Sequence, residues 1–570
     1  MRRRALVAAA VAALALAAPA AAWAHAALLK TFPQASELLD RQPRFVKLTY
    51  DEVVEPRFAI VSVTDQGGHA QTTGSPERSP SDPYTIQVPV GHLSEGWYLV
   101  FWRAISADGH PVRGAFTFQI GPNPGPAPQF VIPPLTETAT TPSLLVARWA
   151  AFLSVMSALG LFVLRAVVAR PLVERVAETR LRAVSIAFAV ALAAALVAVP
   201  VYVLVATAQF ALRSVRDVGA LVPLMSVSSF GRGFLDLELM LALFGFAALV
   251  ALWLDRPERG RRSLAALLAL FGALLAGSAT LLAPGASGHA AQTAPRALSI
   301  ALDWLHLASG SLWVGGLLGL LVLWRSLPAA RRRAGLAVCV PRFSNMAFVS
   351  VLVLIGSGTG AALIHLPTLG SLWQTSYGKA IVVKVGLLAA AMLLAAANLL
   401  RTRPALREPD AGVGAARMLR LLVGGEAVLV AATIFAAAVL SSLPPPAKAL
   451  AGLGKPAAST GPGPVTSVVN ANGYRLELHV RPNRVGVANA FAVRIMRGGR
   501  PVHRMGVTAT FTMLDMDMPT QSYALAERAG GLYERTAPAL VMVGRWGLTF
   551  QFAPPGGAPF EVTVIDRANG

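Results

Sequence analysis

A single cysteine, Cys339, is all the chain has in 570 residues, so it can form neither an internal disulfide nor a cysteine-based zinc site. Acidic residues are also scarce: 29 Asp and Glu stand against 50 Lys and Arg, for a formal net charge of +21. Such an excess fits nucleic acid when it covers a domain face. Here the arginines sit in short loops between apolar runs, where they set membrane topology, and nucleic acid is excluded as a partner. There is no G-x-x-x-x-G-K-[ST] phosphate loop, so no ATP-hydrolysing motor is expected within this polypeptide. Methionine is missing from residues 26–120, and none of the nine histidines falls in a loop predicted to face the cytoplasm.

Hydrophobic residues make up 55% of the chain, and the mean hydropathy of +0.56 marks a membrane protein. Residues 1–24 read as a secretory signal: Arg2, Arg3 and Arg4, an alanine-rich run, then the cleavage triplet Ala22-Trp23-Ala24. Cleavage there makes His25 the amino terminus, where its α-amine and imidazole close on one metal ion as a pincer. Ser106-Ala107-Asp108-Gly109-His110-Pro111 adds a second imidazole and a carboxylate two residues apart. Three nitrogens and an oxygen in a square plane suit Cu(II) better than zinc, which prefers a tetrahedron. The competing reading makes Asp108-Gly109 an ordinary turn and His110 a surface residue. Asp51 and Glu52 are either hydrogen-bonding support for a ligating imidazole or a solvated strand end.

Alternating apolar segments at Phe45–Tyr50, Phe58–Val63, Thr85–Val90, Trp97–Trp102 and Ala115–Ile120 predict a small β-sandwich or barrel over residues 25–120. A Pro/Gly-rich linker covers 121–142. Eight runs, near 143–168, 183–208, 234–254, 263–283, 297–324, 345–366, 379–400 and 419–442, each reach membrane-spanning length, giving an eight-helix domain over 143–443. The predicted inner loops and their helix ends hold nineteen arginines. The outer ones hold five basic residues, Arg213, Arg216, Arg232, Arg296 and Lys379. Both termini are therefore expected on the extracytoplasmic side. After a linker at 444–465, alternation returns and predicts a second β-sandwich over 466–568. The fold class expected is a multidomain membrane protein with a β-domain on either side of a helix bundle.

Within the bundle, Asp303 and His306 stand at i,i+3, and Gly310 and Trp313 continue that face. His306 lies about 14 Å from the outer end of its helix at 1.5 Å per residue. Ionisable residues at such depth are costly and usually functional. His289, in an outer loop, and His365, at an outer helix end, flank the mouth of a possible path. Against this stands a purely structural role, in which Asp303 and His306 hydrogen-bond neighbouring helices. Met156, Met225, Met240, Met346 and Met392 are soft donors that pack equally well against lipid or core. Lys384 and Glu426 are read as a pair or as snorkelling side chains, and Cys339 as a buried thiol. In the last domain, Met513, Met516 and Met518 offer three thioethers of the kind that favours Cu(I), with core packing as the alternative.

His25-Ala26, Leu48-Thr49-Tyr50-Asp51-Glu52, Gly96-Trp97-Tyr98, Trp102-Arg103, Ser106-Ala107-Asp108-Gly109-His110-Pro111-Val112, Gly114 and Phe116-Thr117-Phe118 together resemble the CopC copper-resistance family. The resemblance implies a Greek-key β-barrel with a Cu(II) site at His25, Asp108 and His110; without methionine in this domain, the Cu(I) site of some members is not expected. Ala286-Ser287-Gly288-His289-Ala290, Asp303, His306, Trp313, Gly315-Gly316, Arg342-Phe343-Ser344, Tyr377-Gly378, Lys384, Asn398, Arg401 and Glu426 resemble the CopD family. The last domain, through Met513-Leu514-Asp515-Met516-Asp517-Met518, Gly531-Leu532-Tyr533 and Gly544-Arg545-Trp546, resembles YtkA-like domains. A CopC–CopD fusion implies copper import across a bacterial inner membrane and a part in copper homeostasis. Copper ions, the lipid bilayer and periplasmic copper chaperones are the partners expected, and no enzymatic activity is. Two other readings stay open: a factor that delivers copper to an extracytoplasmic cuproenzyme without transporting it, and a copper monooxygenase, which also uses an amino-terminal histidine. Asp108 counts against the second, because an anionic in-plane ligand stabilises Cu(II) against redox cycling.

Overall fold

A computed structural model of the chain describes residues 28–35, 37–105, 111–122, 141–176, 179–227, 229–255, 261–287, 290, 295–405, 412–443, 456–514, 520–541 and 543–569. They fall into two units, one helical and one made of β-structure from both ends of the chain.

Among its described residues the first β-domain has eight strands: β1 (Leu28–Phe32), β2 (Leu38–Leu39), β3 (Phe45–Tyr50), β4 (Ile60–Thr64), β5 (Glu77–Arg78), β6 (Thr85–Pro89), β7 (Gly96–Ile105) and β8 (Pro111–Ile120). They form two four-stranded sheets, ordered β1-β3-β6-β5 and β2-β8-β7-β4. β3 shows why the sequence alternates: Val46, Leu48 and Tyr50 are buried while Phe45, Lys47 and Thr49 are half-buried. Tyr50 meets the buried Trp102 of β7 edge-on, with ring centroids 5.9 Å apart.

Among the described residues, eight helices are long and apolar enough to cross a membrane. In chain order the helices are α1 (Pro142–Val163), α2 (Arg182–Phe210), the short α3 (Val218–Val227), α4 (Ser229–Leu254), α5 (Leu264–Ser287), α6 (Arg296–Ser326), α7 (Ala329–His365), α8 (Ser376–Ala397) and α9 (Gly412–Leu440). The spans agree with the hydropathy reading except at α7, which starts at Ala329 instead of near residue 345. Arg331, Arg332 and Arg333 hide this first part from a hydropathy window, yet Leu336, Cys339, Val340 and Phe343 bury a stripe along it. α6 packs closely on α1 because small residues recur along it: Ser311, Gly315 and Gly319 face α1, and the backbones at Gly160 and Gly315 leave no room for a Cβ on either side.

Three arginines that read as topology signals have a structural role as well. The carboxylate of Asp255 is held by Arg165 at 2.7 Å, Arg170 at 3.1 Å and Arg262 at 3.1 Å. Asp255 and Arg165 are buried, so the pairing relieves charges that would be costly alone.

The second β-domain has β9 (Ala458–Thr460), β10 (Val465–Ala471), β11 (Tyr474–Arg481), β12 (Asn489–Arg497), β13 (Arg500–Pro501), β14 (Gly506–Met513), β15 (Gln521–Ala524), β16 (Ala526–Arg528), β17 (Leu532–Ala537), β18 (Gly544–Ala553) and β19 (Phe560–Ala568). One sheet runs β10-β11-β12-β17-β16 with β13 paired to β12; the other runs β15-β14-β18-β19-β9. Phe491 of the first and Phe511 of the second meet at 4.4 Å between ring centroids.

Candidate metal sites

His25, Asp108 and His110 lie outside the described residues, as do His289, Met516 and Met518. The strands that lead to the first three are described. β1 pairs with β3 so that Leu28 stands opposite Tyr50. β7 and β8 form a hairpin whose last pair is Ile105 opposite Pro111, so Asp108 and His110 belong to the segment joining these strands. Tyr50 packs on Trp102, three residues before Ile105. The start of β1 and the mouth of the β7–β8 hairpin are thus at one end of the domain. Trp102 and Arg103 are buried beneath that end, and burial raises the Tyr50 hydroxyl's pKa well above its usual range.

Within the helical unit, His306 sits among three helices. Its Nε2 lies 3.3 Å from Nζ of Lys384 on α8, and its Nδ1 lies 3.3 Å from Oγ of Ser357 on α7. An ammonium only donates, so Nε2 accepts from Lys384 and Nδ1 carries the ring proton toward Ser357. Ser357 donates in turn to the Leu354 carbonyl at 3.2 Å. The Asp303 carboxylate is near enough to attract the Lys384 ammonium. Counted from the nearest helix ends at Arg296, His365 and Ser376, these groups all lie about 11–15 Å deep. His306, Asp303 and Lys384 are half-buried, and Ser357 is buried.

A second polar station lies deeper. Trp313 Nε1 donates to Glu426 Oε1 at 2.6 Å, and the Asn398 amide also bonds that carboxylate. Trp313 and Glu426 are both buried. Between the stations, Gly310, one turn beyond His306, receives the terminal methyl of Met156. Met156, Met346 and Met392 pack in the apolar cluster that holds Trp313, and Cys339 is buried in the same cluster.

Sequence alone reads Lys384 and Glu426 as a pair or as snorkelling side chains; the structure gives each another partner, His306 and Trp313. Asp303 acts on Lys384, and neither ring nitrogen of His306 has it as its nearest hydrogen-bonding partner. Ser357 was missed, because a serine in an apolar helix gives no signal until a partner is known. His365, two turns beyond Gly358 on α7, bonds the Ala361 carbonyl through Nδ1 at 2.8 Å. Among the described residues no three His, Cys, Asp or Glu side chains converge as a ligand set.

In the second β-domain, Met513 ends β14 opposite Trp546, with its thioether committed to the core. His503 bonds Glu527 at 2.8 Å; that contact and the Arg504 amide hold the Glu527 carboxyl below its ordinary pKa. Met505 is buried.

Three family models match the chain: the CopC domain over residues 28–121, Copper resistance protein D over 337–440 and YtkA-like over 469–551. The copper transport protein CutJ of Bacillus subtilis (strain 168) is 26% identical over 544 residues, which is 94% of this chain and 95% of CutJ. Copper resistance protein C of Escherichia coli is 31% identical over 106 residues, 17% of this chain and 83% of that protein. Among solved structures, CopC from Methylosinus trichosporium OB3b is 27% identical and covers 18% of this chain and 99% of its own, with a TM-score of 0.17.

Proposed function

Because this chain belongs to the copper-resistance family of CopC, with a CopC domain joined in one polypeptide to CopD and YtkA-like domains, we propose that it captures Cu(II) outside the bacterial inner membrane and passes copper inward through its helix bundle. Capture falls to His25, Asp108 and His110. The observation that supports this is the common end of the first β-domain at which β1 begins and the β7–β8 hairpin opens.

Inside the bundle, His306 is the first receiving group, with His289 and His365 on the outer approach. Lys384 caps the nitrogen that a copper ion would need, so entry requires the ammonium to leave Nε2. Asp303 gives the displaced ammonium a counter-charge. Met156 and the Glu426 station mark the route beyond. Both β-domains face outward in this scheme, as the arginine distribution requires.

Copper uptake by proteoliposomes carrying the full chain tests the proposal. His306→Ala should abolish uptake while leaving Cu(II) capture unchanged. A folded His306→Ala protein that moved copper at the wild-type rate would overturn the path.

A further inference from the structure

The two β-domains are joined through the outer edge of β8. β2 covers only the last two residues of that edge, pairing Leu38 with Gln119 and Leu39 with Ile120. The bonds of this short parallel ladder run from Gln119 to the Glu37 carbonyl and from Gly121 to the Leu39 carbonyl. Ala115 donates instead to the carbonyl of Val541, in the second domain, at 3.1 Å. Val541 follows Ala539 and Leu540, both fully buried, and the Leu540 carbonyl accepts from Gly486 at 3.1 Å. The segment is thus pinned to its own domain at Leu540 and to the first domain at Val541. Gly114 admits the approach: a Cβ there would lie 2.6 Å from the Val541 oxygen and 2.8 Å from the Trp102 ring. The apolar cores of the two domains are continuous.

We propose that the half-open β8 edge is an intramolecular docking surface whose occupant is the YtkA-like domain, and that docking is coupled to Cu(II) capture by the same hairpin. The coupling rests on the capture reading above; the docking does not. An uncovered strand edge invites pairing, and a chain that carries its own edge partner satisfies it internally. Ala115 is four residues from Pro111, where the hairpin segment carrying Asp108 and His110 rejoins the strand, about 13 Å along β8. Holding β8 there fixes one arm of the hairpin. What steadies the hairpin for copper also steadies it for docking, and the two effects are reciprocal.

The test uses the full chain in nanodiscs, in a Cys339→Ala background, with nitroxide labels at Glu77→Cys and Val468→Cys. Ala115→Pro removes the donating N–H, which points away from β7, so the β7–β8 ladder is kept. Val541→Asp attacks the same contact from the other domain. Copper-free wild type should give one narrow inter-label distance distribution, and both variants a broad one. Cu(II) titration should then show a Kd raised about 10-fold in both variants, within the range of ordinary coupling energies. A broad distribution in the wild type would overturn the docking. An unchanged Kd with docking lost would overturn the coupling. A wild type that bound no Cu(II) would overturn the capture reading and the coupling with it, while the distance measurement still decided the docking.

Discussion

In the first β-domain, Asp108 and His110 stand two residues apart between paired strands, whereas in the membrane bundle Asp303, His306, Ser357 and Lys384 come from three helices. One pair belongs to the segment that joins two paired strands, and the other group is assembled by helix packing. A hairpin fixes its loop through its own ladder, so the proposed capture residues depend on β7, β8, the start of β1 and, through the docking proposed above, the hold on the β8 edge. The bundle cluster exists only while α6, α7 and α8 hold their mutual rotation, which in turn rests on close contacts such as that of Gly160 with Gly315. The two regions should therefore fail independently.

The sharpest break in that comparison comes from His110→Ala. Loss of an equatorial imidazole should weaken Cu(II) binding by about two orders of magnitude or more, since even outer partners of a metal ligand are worth about 10–100-fold. Electron paramagnetic resonance should show one nitrogen fewer, and uptake at saturating copper should survive. Unchanged nitrogen coupling would remove His110 from the site. Acidification should release copper in the same experiment, because a protonated imidazole cannot ligate.

Lys384→Met should act on the bundle alone. It uncaps His306 Nε2 and removes the cation beside Asp303, so uptake should fall about 10-fold or more, the scale of a lost hydrogen bond to a charged group, about 1.5–3 kcal/mol. Cu(II) capture outside should be unaltered. Uptake at the wild-type level would show that Lys384 is not part of the path. A smaller effect is expected deeper down. Trp313→Phe keeps the ring's bulk but removes the donor to Glu426, leaving that buried carboxylate with the Asn398 amide. Thermal inactivation should show a loss of about 1–3 kcal/mol, the usual cost of an unmet buried acceptor. A variant as stable as wild type would mean that water replaces the indole N–H.

The same contrast decides what the sequence reveals. Strand alternation and eight apolar runs are local patterns, and the elements they predict are in the structure; the cleavage motif lies outside the described residues. Asp303 and His306 were visible as a pair because one helical turn joins them. Lys384 was visible as a costly residue, but its partner was not, because no periodicity relates α6 to α8. The extension of α7 was hidden by three consecutive arginines whose neighbours are nonetheless buried. The docking of Val541 on Ala115 has no sequence signal at all, since it is a backbone contact between domains more than four hundred residues apart in the chain.

The smallest effect concerns a buried carboxylate outside the membrane, which tests whether depth alone makes such a group functional. Asp566 on β19 is buried, and its Oδ1 accepts from Thr460 Oγ1 at 3.0 Å and from Asn483 Nδ2 at 3.1 Å. Both donors are neutral, and burial raises its pKa above the ordinary carboxylate value. The folded state thus binds this proton more tightly than the unfolded chain does. Its stabilising contribution is complete below the unfolded value, about 3.9, and is lost as pH rises through the folded one. Glu527 carries the opposite slope: its pKa is lowered, so its contribution is present above the unfolded value and lost as pH falls through the folded one. Asp566→Asn cannot ionise and keeps an acceptor for Thr460 and Asn483. It should remove the alkaline-side loss and leave the β18–β19 amides, in the full chain at pH 7, more protected from hydrogen exchange by about 1 kcal/mol, the scale of one buried polar group. Copper capture and uptake should not change. If uptake fell with the fold intact, the YtkA-like domain would carry a copper role beyond docking; if protection fell, the carboxylate would be ionised and held by a charge the neutral donors do not supply.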